Sequence, residues 1–341
     1  MVDFAWDIWC AASIVGIWPR FIEPRLLETT HLNHPIKNLD PALEKLKILH
    51  FSDLHINPKT SDTFLKKMTR RIQRLAPDII VFTGDFICYS ELNDQKRLET
   101  FLNSLSARYG CYCVLGNHDY ETYVTFHNKA KKYEIGLPAT RPLVVKGLRK
   151  LLIEFNLMKE PRLTQNMLAT VKTIPMHEEL VALIKRTPFE LLENKTKVIS
   201  INGSDLNIVG LGDYWLQRSL PQIAFEGYNS LAPGLILAHN PDAASHLEHH
   251  PGELILCGHT HGGQVNLLGI WKLFTPMESP HLRRGLVKLS SKKTVYVSRG
   301  VGSPDKFRWF SSPEITLFTL SKQSKLGNTF NAKKYKREKT G

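Results

Sequence analysis

Five hydrophobic runs in this chain each end on a short polar motif, and that repeated pairing constrains the fold more than any other feature. The motifs are Asp53-Leu-His55, Gly84-Asp85, Gly116-Asn117-His118-Asp119, His239 in Ala-His-Asn-Pro, and Gly258-His259-Thr-His261. Residues 46–52, 79–83 and 111–115 read as short buried strands. Between them, residues 61–75 and 94–107 carry apolar side chains at helical spacing, behind turn and cap signals such as Ser61 and Pro77-Asp78. Strand alternating with helix is βαβαβ and implies a largely parallel sheet. Side chains leaving the C-terminal ends of parallel strands converge in a crevice, so motifs far apart in sequence can meet there.

The regular pattern breaks after residue 120. Apolar stripes at Val144, Leu148, Leu151, Leu152 and Phe155, then at Leu180, Leu183 and Ile184, suggest helices punctuated by prolines. A helical insertion over 122–195 is therefore expected, longer than a plain connection and of the kind that carries function. Strands return at 197–201, 207–211, 235–238, 254–257, 294–298 and 314–320. Turns rather than helices link them, so a second, mixed sheet is expected. The main domain is placed at 45–320.

Two carboxylates, an amide and several imidazoles crowded together would repel or go unpaired without cations. Oxygen and nitrogen donors with no thiolate suit Mn, Fe or Zn. Asp53 and His55 share a spacing of two with His259 and His261, and Asp85 is placed to bridge two ions through its two oxygens. A DxH or a GD alone is commonplace; all five motifs in order, each after a strand, are not.

The motifs resemble those of the calcineurin-like metallophosphoesterase family, whose pattern is DxH, GDxx, GNH[DE], H and GHxH. The match runs over about 45–320, insertion excluded. The resemblance implies an α/β fold, a four-layer αββα sandwich of two mixed sheets with the insertion added. It implies one metal on Asp53, His55, Asp85 and His261, and a second on Asp85, Asn117, His239 and His259. His118 would contact the phosphate or protonate the leaving oxygen, with Asp119 orienting it. The cofactors would be two divalent ions, Mn before Fe or Zn.

Gly84-Asp-Phe-Ile-Cys lacks the Asp-Arg-Gly of protein Ser/Thr phosphatases. Gly258-His-Thr-His-Gly-Gly-Gln264, Phe274-Thr-Pro and Ser298-Arg-Gly look instead like the lipid-associated bacterial branch. That likeness implies hydrolysis of a pyrophosphate in a UDP-linked acylated glucosamine, on the cytoplasmic face of the inner membrane.

The formal charge of +13 is localised. Residues 129–150 hold seven basic side chains against Glu134, and residues 322–341 hold seven against Glu338, which leaves the body near neutral. Such segments attract polyanions or anionic lipid. Arg141, Lys146, Arg149 and Lys150 are the candidates for substrate phosphates or headgroups, and 322–341 reads as a basic tail. Residues 1–24 form a separate amphipathic segment in which Phe4, Ile8, Ala11, Val15, Trp18 and Ile22 share a side. Its uncharged stretch is too short to cross a bilayer, while Trp6, Trp9 and Trp18 favour a membrane interface; packing on the domain or a second subunit is the plain alternative. Five cysteines, an odd number, make no closed disulfide framework, and Cys111-x-Cys113 has no second pair to complete a zinc site. A nuclease or nucleotide phosphodiesterase would use the same centre, but no basic groove interleaved with aromatics is visible and no nucleic acid is expected. A non-catalytic scaffold should have lost ligands, and none is missing.

Overall fold

The computed structural model describes residues 4, 6–7, 9–10, 13–127, 132–135, 152, 171–266, 277–323 and 336–338. Its strands are β1 (Glu28–Ile36), β2 (Lys47–Phe51), β3 (Ile79–Thr83), β4 (Cys111–Val114), β5 (Val124–His127), β6 (Lys132–Ile135), β7 (Phe189–Leu191) and β8 (Lys195–Ile201). They continue with β9 (Ser204–Gly210), β10 (Gly234–Leu237), β11 (Leu254–Cys257), β12 (Gly285–Lys288), β13 (Thr294–Val297), β14 (Glu314–Lys322) and β15 (Lys336–Glu338). The α-helices are α1 (Asp62–Leu75), α2 (Gln95–Asn103), α3 (Glu178–Ile184) and α4 (Pro221–Ala224).

Two mixed sheets face each other. The first has the order β15-β1-β14-β2-β3-β4-β7, with β2, β3, β4 and β7 parallel. The second has the order β12-β13-β11-β10-β9-β8, with β13, β11, β10 and β9 parallel between antiparallel edges. The central parallel strands β2, β3, β4, β10 and β11 are largely apolar because both faces are covered, and their side chains divide by the period of two. Ile48, Ile79 and Val81 point between the sheets to join Leu206, Ile208, Leu235 and Leu254. Their neighbours Leu49, Ile80 and Phe82 point outward, where Leu65, Met68 and Ile72 of α1 and Leu98, Phe101 and Leu102 of α2 cover them. On the far side, Ala243, Ala244 and Leu247 of a 3-10 turn cover Val209, Ile236 and Ile255. The expected four-layer sandwich is what forms. Truncating a fully buried residue of these layers, Phe82→Ala for example, would cost about 3–5 kcal/mol.

Local signals explain α1. Ser61 Oγ accepts the Phe64 N–H, Asp62 sits in the first turn and Arg74 in the last, and Ala76 closes the helix in a left-handed conformation.

Three departures concern the edges. The sheet begins with β1, ahead of the expected start at residue 45, and β1 pairs in parallel with β14 along its whole length. Its mixture of His, Asn, Thr and Pro hid it, and only tertiary partners explain polar groups there: Thr30 Oγ1 donates to Glu314, and Glu28 accepts from Arg299. Within 122–195 the described residues are not all helical: β5 and β6 form an antiparallel hairpin, β7 extends the first sheet and β8 opens the second. The Leu180, Leu183, Ile184 stripe is α3, whereas the stripe at 144–155, apart from Leu152, lies outside the described residues, as do Arg141, Lys146, Arg149, Lys150 and Phe274. In the basic tail, β15 pairs with β1. Cys88, Cys111, Cys113 and Cys257 are buried free thiols.

Candidate metal centre

The parallel strands of both sheets run their C-terminal ends to one rim. Asp53 and His55 follow β2, Asp85 follows β3, Asn117 and His118 follow β4, His239 follows β10, and His259 and His261 follow β11. All are buried or nearly so, and they meet. Three sets of potential ligands have their donor atoms within 4.8 Å of one another: Asp53, His55 and His261; His55, Asp85 and His118; and Asp85, His239 and His259.

Asp85 is the hinge of these sets. Its Oδ2 lies 3.3 Å from His55 Nε2 and 3.2 Å from His239 Nε2. Its Oδ1 accepts the His118 backbone N–H at 3.0 Å. One oxygen, rather than the two expected, therefore faces both sides. On one side His55 Nε2 is 3.2 Å from His261 Nε2, with Asp53 Oδ1 3.8 Å from that same nitrogen. On the other, His259 Nδ1 is 3.0 Å from Asn117 Oδ1 and 3.3 Å from His239 Nε2. The Asn117 amide is oriented by its Nδ2, which donates to the Val124 carbonyl at 2.8 Å and leaves the oxygen inward.

The tautomers are fixed from behind. His55 Nδ1 donates to the Ile87 carbonyl at 3.1 Å, and His239 Nδ1 donates to the Thr83 carbonyl at 2.7 Å. A carbonyl only accepts, so each neutral ring turns an Nε2 lone pair toward the Asp85 carboxylate. Lone pair against carboxylate is repulsive unless a proton or a cation lies between. The donor set is thus one that divalent cations fit. Burial alone would raise the Asp85 carboxyl, but His239, His118 and His55 together hold it well below the usual range. Burial works against charge on His239, yet Asp85 lifts it to about 10, while burial pushes Asp53 up to about 7. A proton at His239 Nε2 therefore stands where a cation would compete, and loading the centre would release it.

Backbone strain is concentrated here. Asp53, His55, Asp85, His259 and His261 all have positive φ, between 44° and 70°. Residues with a β-carbon avoid that region, and clusters of them persist where surrounding bonds over-determine the chain. Those bonds are present: Asp53 N–H donates to the Gly84 carbonyl, His55 N–H to the Asp85 carbonyl, and His259 N–H to Asp53 Oδ1, each within 3.0 Å. Gly116 must lack a side chain, since a Cβ there would collide with Asp85 Oδ1.

Asp119 does not orient His118 as expected. Its carboxylate accepts the N–H groups of Asp85, Ile87 and Gly116, at 2.7, 3.1 and 3.0 Å, and so shapes the loop that carries Asp85. His118 Nδ1 instead accepts the Tyr89 N–H at 2.8 Å, which puts the proton of the neutral ring on Nε2. The Tyr123 ring lies 4.1 Å from the His118 ring, and burial lowers His118 to about 3.

Sequence reasoning missed several neighbours. The Trp215 ring meets His259 edge-on at 4.1 Å. Arg308, fully buried, places Nη2 3.3 Å from His261 Nδ1. Asp213 and Trp215 follow β9 as the five motifs follow their strands, a placement that could have flagged them; Tyr89, Tyr123 and Arg308 sit in loops and carry no such signal.

Residues 46–263 match the family described as calcineurin-like phosphoesterase. The chain belongs to that family and is a metal-dependent hydrolase with metallophosphoesterase activity. It is 38% identical over 319 residues to the UDP-2,3-diacylglucosamine pyrophosphatase LpxG of Chlamydia trachomatis, covering 91% of this chain and 94% of that protein. It is 35% identical over 300 residues to the phosphodiesterase YaeI of Escherichia coli, covering 88% and 90%. Among solved structures, the NAD nucleotidase NadN of Haemophilus influenzae aligns with a TM-score of 0.42 at 12% identity, over 75% of this chain and 45% of that one.

Proposed function

We propose that the chain hydrolyses the pyrophosphate of a UDP-linked 2,3-diacylglucosamine, yielding UMP and the diacylglucosamine 1-phosphate, at a two-cation centre. One cation would be held by Asp53, His55, Asp85 and His261, the other by Asp85, Asn117, His239 and His259. The observation that carries this is Asp85 Oδ2, set almost equally between His55 and His239 with a donor group on either side. The substrate assignment leans on the likeness to the LpxG proteins. Manganese heads the candidate metals because the donors are oxygen and imidazole nitrogen, with no thiolate.

When bound, such a pair supplies positive charge for the phosphoryl oxygens and acidifies the attacking water. The chain does the positioning. Carbonyls of Ile87 and Thr83 hold two imidazoles in the ligating tautomer, and Asp119 fixes the Asp85 loop. His118 presents Nε2–H to a substrate oxygen from a neutral ring. With its affinity for a further proton so low, it serves as a hydrogen-bond donor rather than as an imidazolium acid. A phosphate monoester leaves readily, so full protonation of the leaving oxygen is not needed.

The enzyme is placed at the inner face of the cytoplasmic membrane, as a peripheral protein. Among the described residues no helix is long and apolar enough to cross a membrane. The exposed side chains of Trp6, Trp9, Ile14 and Phe21 support contact with a bilayer surface. Arg141, Lys146, Arg149 and Lys150 remain the proposed contacts for phosphates or headgroups.

The deciding experiment is a product assay on UDP-diacylglucosamine in detergent micelles, beside DNA, RNA and simple phosphodiesters, with and without EDTA. Release of UMP that EDTA abolishes and Mn²⁺ restores is expected. Preferential cleavage of nucleic acid would overturn the substrate assignment while leaving the centre intact.

A further inference from the structure

The segment before β1 and the loop before β14 share a feature that the centre does not use. Residues Ser13–Ile22 form a π-helix with Pro19 inside it, and Ile14, Ile17, Trp18, Phe21 and Ile22 are between 40% and 57% exposed. The helix holds to the domain by polar contacts instead. The Pro19 carbonyl accepts the Arg308 N–H at 2.8 Å. The Glu23 carboxylate, buried, accepts Trp18 Nε1–H and Phe310 N–H at 3.0 Å each, and also the Ser311 N–H. An amphipathic helix of a water-soluble domain buries its apolar face; this one turns it outward.

Phe310 continues that face. Its ring is 56% exposed and lies nearly parallel to Trp309, at 14° and 6.0 Å. Its φ is 56°, so the chain accepts a strained conformation at a residue whose apolar side chain faces outward. The strain is held from beneath by Arg308, whose guanidinium donates to the carbonyls of Arg299, Gly300, Gly302 and Ser311. Cations surround the patch. Arg20 and Arg25 are exposed on or beside the helix, Arg284 Nη1 reaches the Phe310 carbonyl at 3.5 Å, and Lys306 lies within electrostatic range of Arg25, Lys59 and Arg97. Arg97 is itself paired with Asp62 and Asp94.

We infer that the Trp309–Phe310 loop is a second bilayer-contacting element, joined through Glu23 to the helix at 13–22, and that together they dock on an anionic phospholipid surface. Apolar side chains flanked by the exposed Arg20, Arg25 and Arg284 and the half-buried Lys306 fit that surface, with rings at the acyl boundary and cations among the headgroups. The inference rests on the peripheral placement proposed above and adds where the contact lies. Ser311 Oγ donates to the His261 carbonyl at 2.6 Å and Arg308 touches the His261 ring, so the docked face adjoins one side of the metal centre. A substrate drawn from the bilayer would meet the centre without crossing the domain.

The test uses the full chain with Cys10→Ser and Phe310→Cys, the new thiol carrying a polarity-sensitive nitrobenzoxadiazole dye. Phosphatidylglycerol vesicles should raise and blue-shift its emission, and phosphatidylcholine vesicles should not. The same dye at Leu231→Cys, which is 95% exposed at the opposite end of β10, should stay unchanged with both. Unlabelled Phe310→Ser should bind phosphatidylglycerol vesicles about tenfold more weakly, with its thermal midpoint reporting the fold. Flotation with phosphatidylglycerol but no response at position 310 would overturn the loop's role and spare the helix. A response that grows with protein concentration in the absence of lipid would assign the face to a second copy of the chain. Failure to float at all would remove this inference and the peripheral placement together, while hydrolysis in micelles would still report on the centre.

Discussion

The two sheets meet at one rim but bring different chemistry to it. Of the ligands proposed, the seven-stranded sheet contributes both carboxylates, the amide and one imidazole: Asp53, Asp85, Asn117 and His55. The six-stranded sheet contributes only imidazoles to that proposed set, His239, His259 and His261, with the buried Asp213 carboxylate behind them. The carboxylates proposed as ligands thereby sit on one wall, where backbone N–H groups hold them: His118 and His259 donate to Asp85 and Asp53, and three more donors hold Asp119. The opposite wall offers neutral-ring donors, with His239 fixed by the Thr83 carbonyl and His259 packed on Trp215. Losing Asp85 should therefore remove charge that both proposed cations would share, whereas losing an imidazole should weaken one side.

The largest expected effect tests that asymmetry directly. Asp85→Asn keeps the volume and removes the shared charge. Turnover should fall by roughly 10³-fold or more, with metal content reduced by elemental analysis. Near-normal turnover under excess Mn²⁺ would show that Asp85 does not bridge. His118→Gln comes next: kcat should drop about 10²-fold with metal content unchanged, because the ring is proposed to contact substrate and is not counted among the proposed ligands. A parallel loss of metal would move His118 to the ligands, as its grouping with His55 and Asp85 allows. His259→Ala should weaken metal binding by about 10–100-fold and be restored in part by high Mn²⁺, a response denied to Asp85→Asn. If the two variants respond alike, the charge asymmetry between the walls has no consequence.

The smallest effect on chemistry, though not on folding, is expected away from the centre. Glu314 is buried against Arg299, with Nε 2.6 Å from Oε2, and also accepts the Tyr296 hydroxyl at 2.6 Å. Burial would raise its carboxyl, but Arg299 and Tyr296 hold it below the ordinary value. A depressed carboxyl adds stability above its unfolded value of 4.5 and loses it as pH falls through the lower folded value. Glu314→Gln leaves the Arg299 charge with only Glu28 beside it, so unfolding should become easier by about 3 kcal/mol. Denaturant titration at pH 7 and pH 3 should show that deficit shrinking at the acid end.

How much was legible in the sequence differs between strand and loop. The parallel strands β2, β3, β4, β10 and β11 were readable because a strand buried on both faces must be apolar along its length. Asp53, His55, Asp85, Asn117, His239, His259 and His261 were readable because each follows such a strand. The sequence did not reveal β1, whose Thr30 and Glu28 meet Glu314 and Arg299 only in the folded chain, nor the hairpin of β5 and β6 inside the expected helical insertion. The donor identities, their order and the apolar periods are local properties, and they alone determined the fold class and the set of groups at the rim. Tertiary structure decided that Asp119 shapes the Asp85 loop while Tyr89 takes the His118 nitrogen. It also decided that one oxygen of Asp85 faces both sides and that Phe310 prolongs the apolar face of the N-terminal helix. Each of those depends on where separate loops come to rest, since a hydrogen bond is made or lost within a few tenths of an ångström.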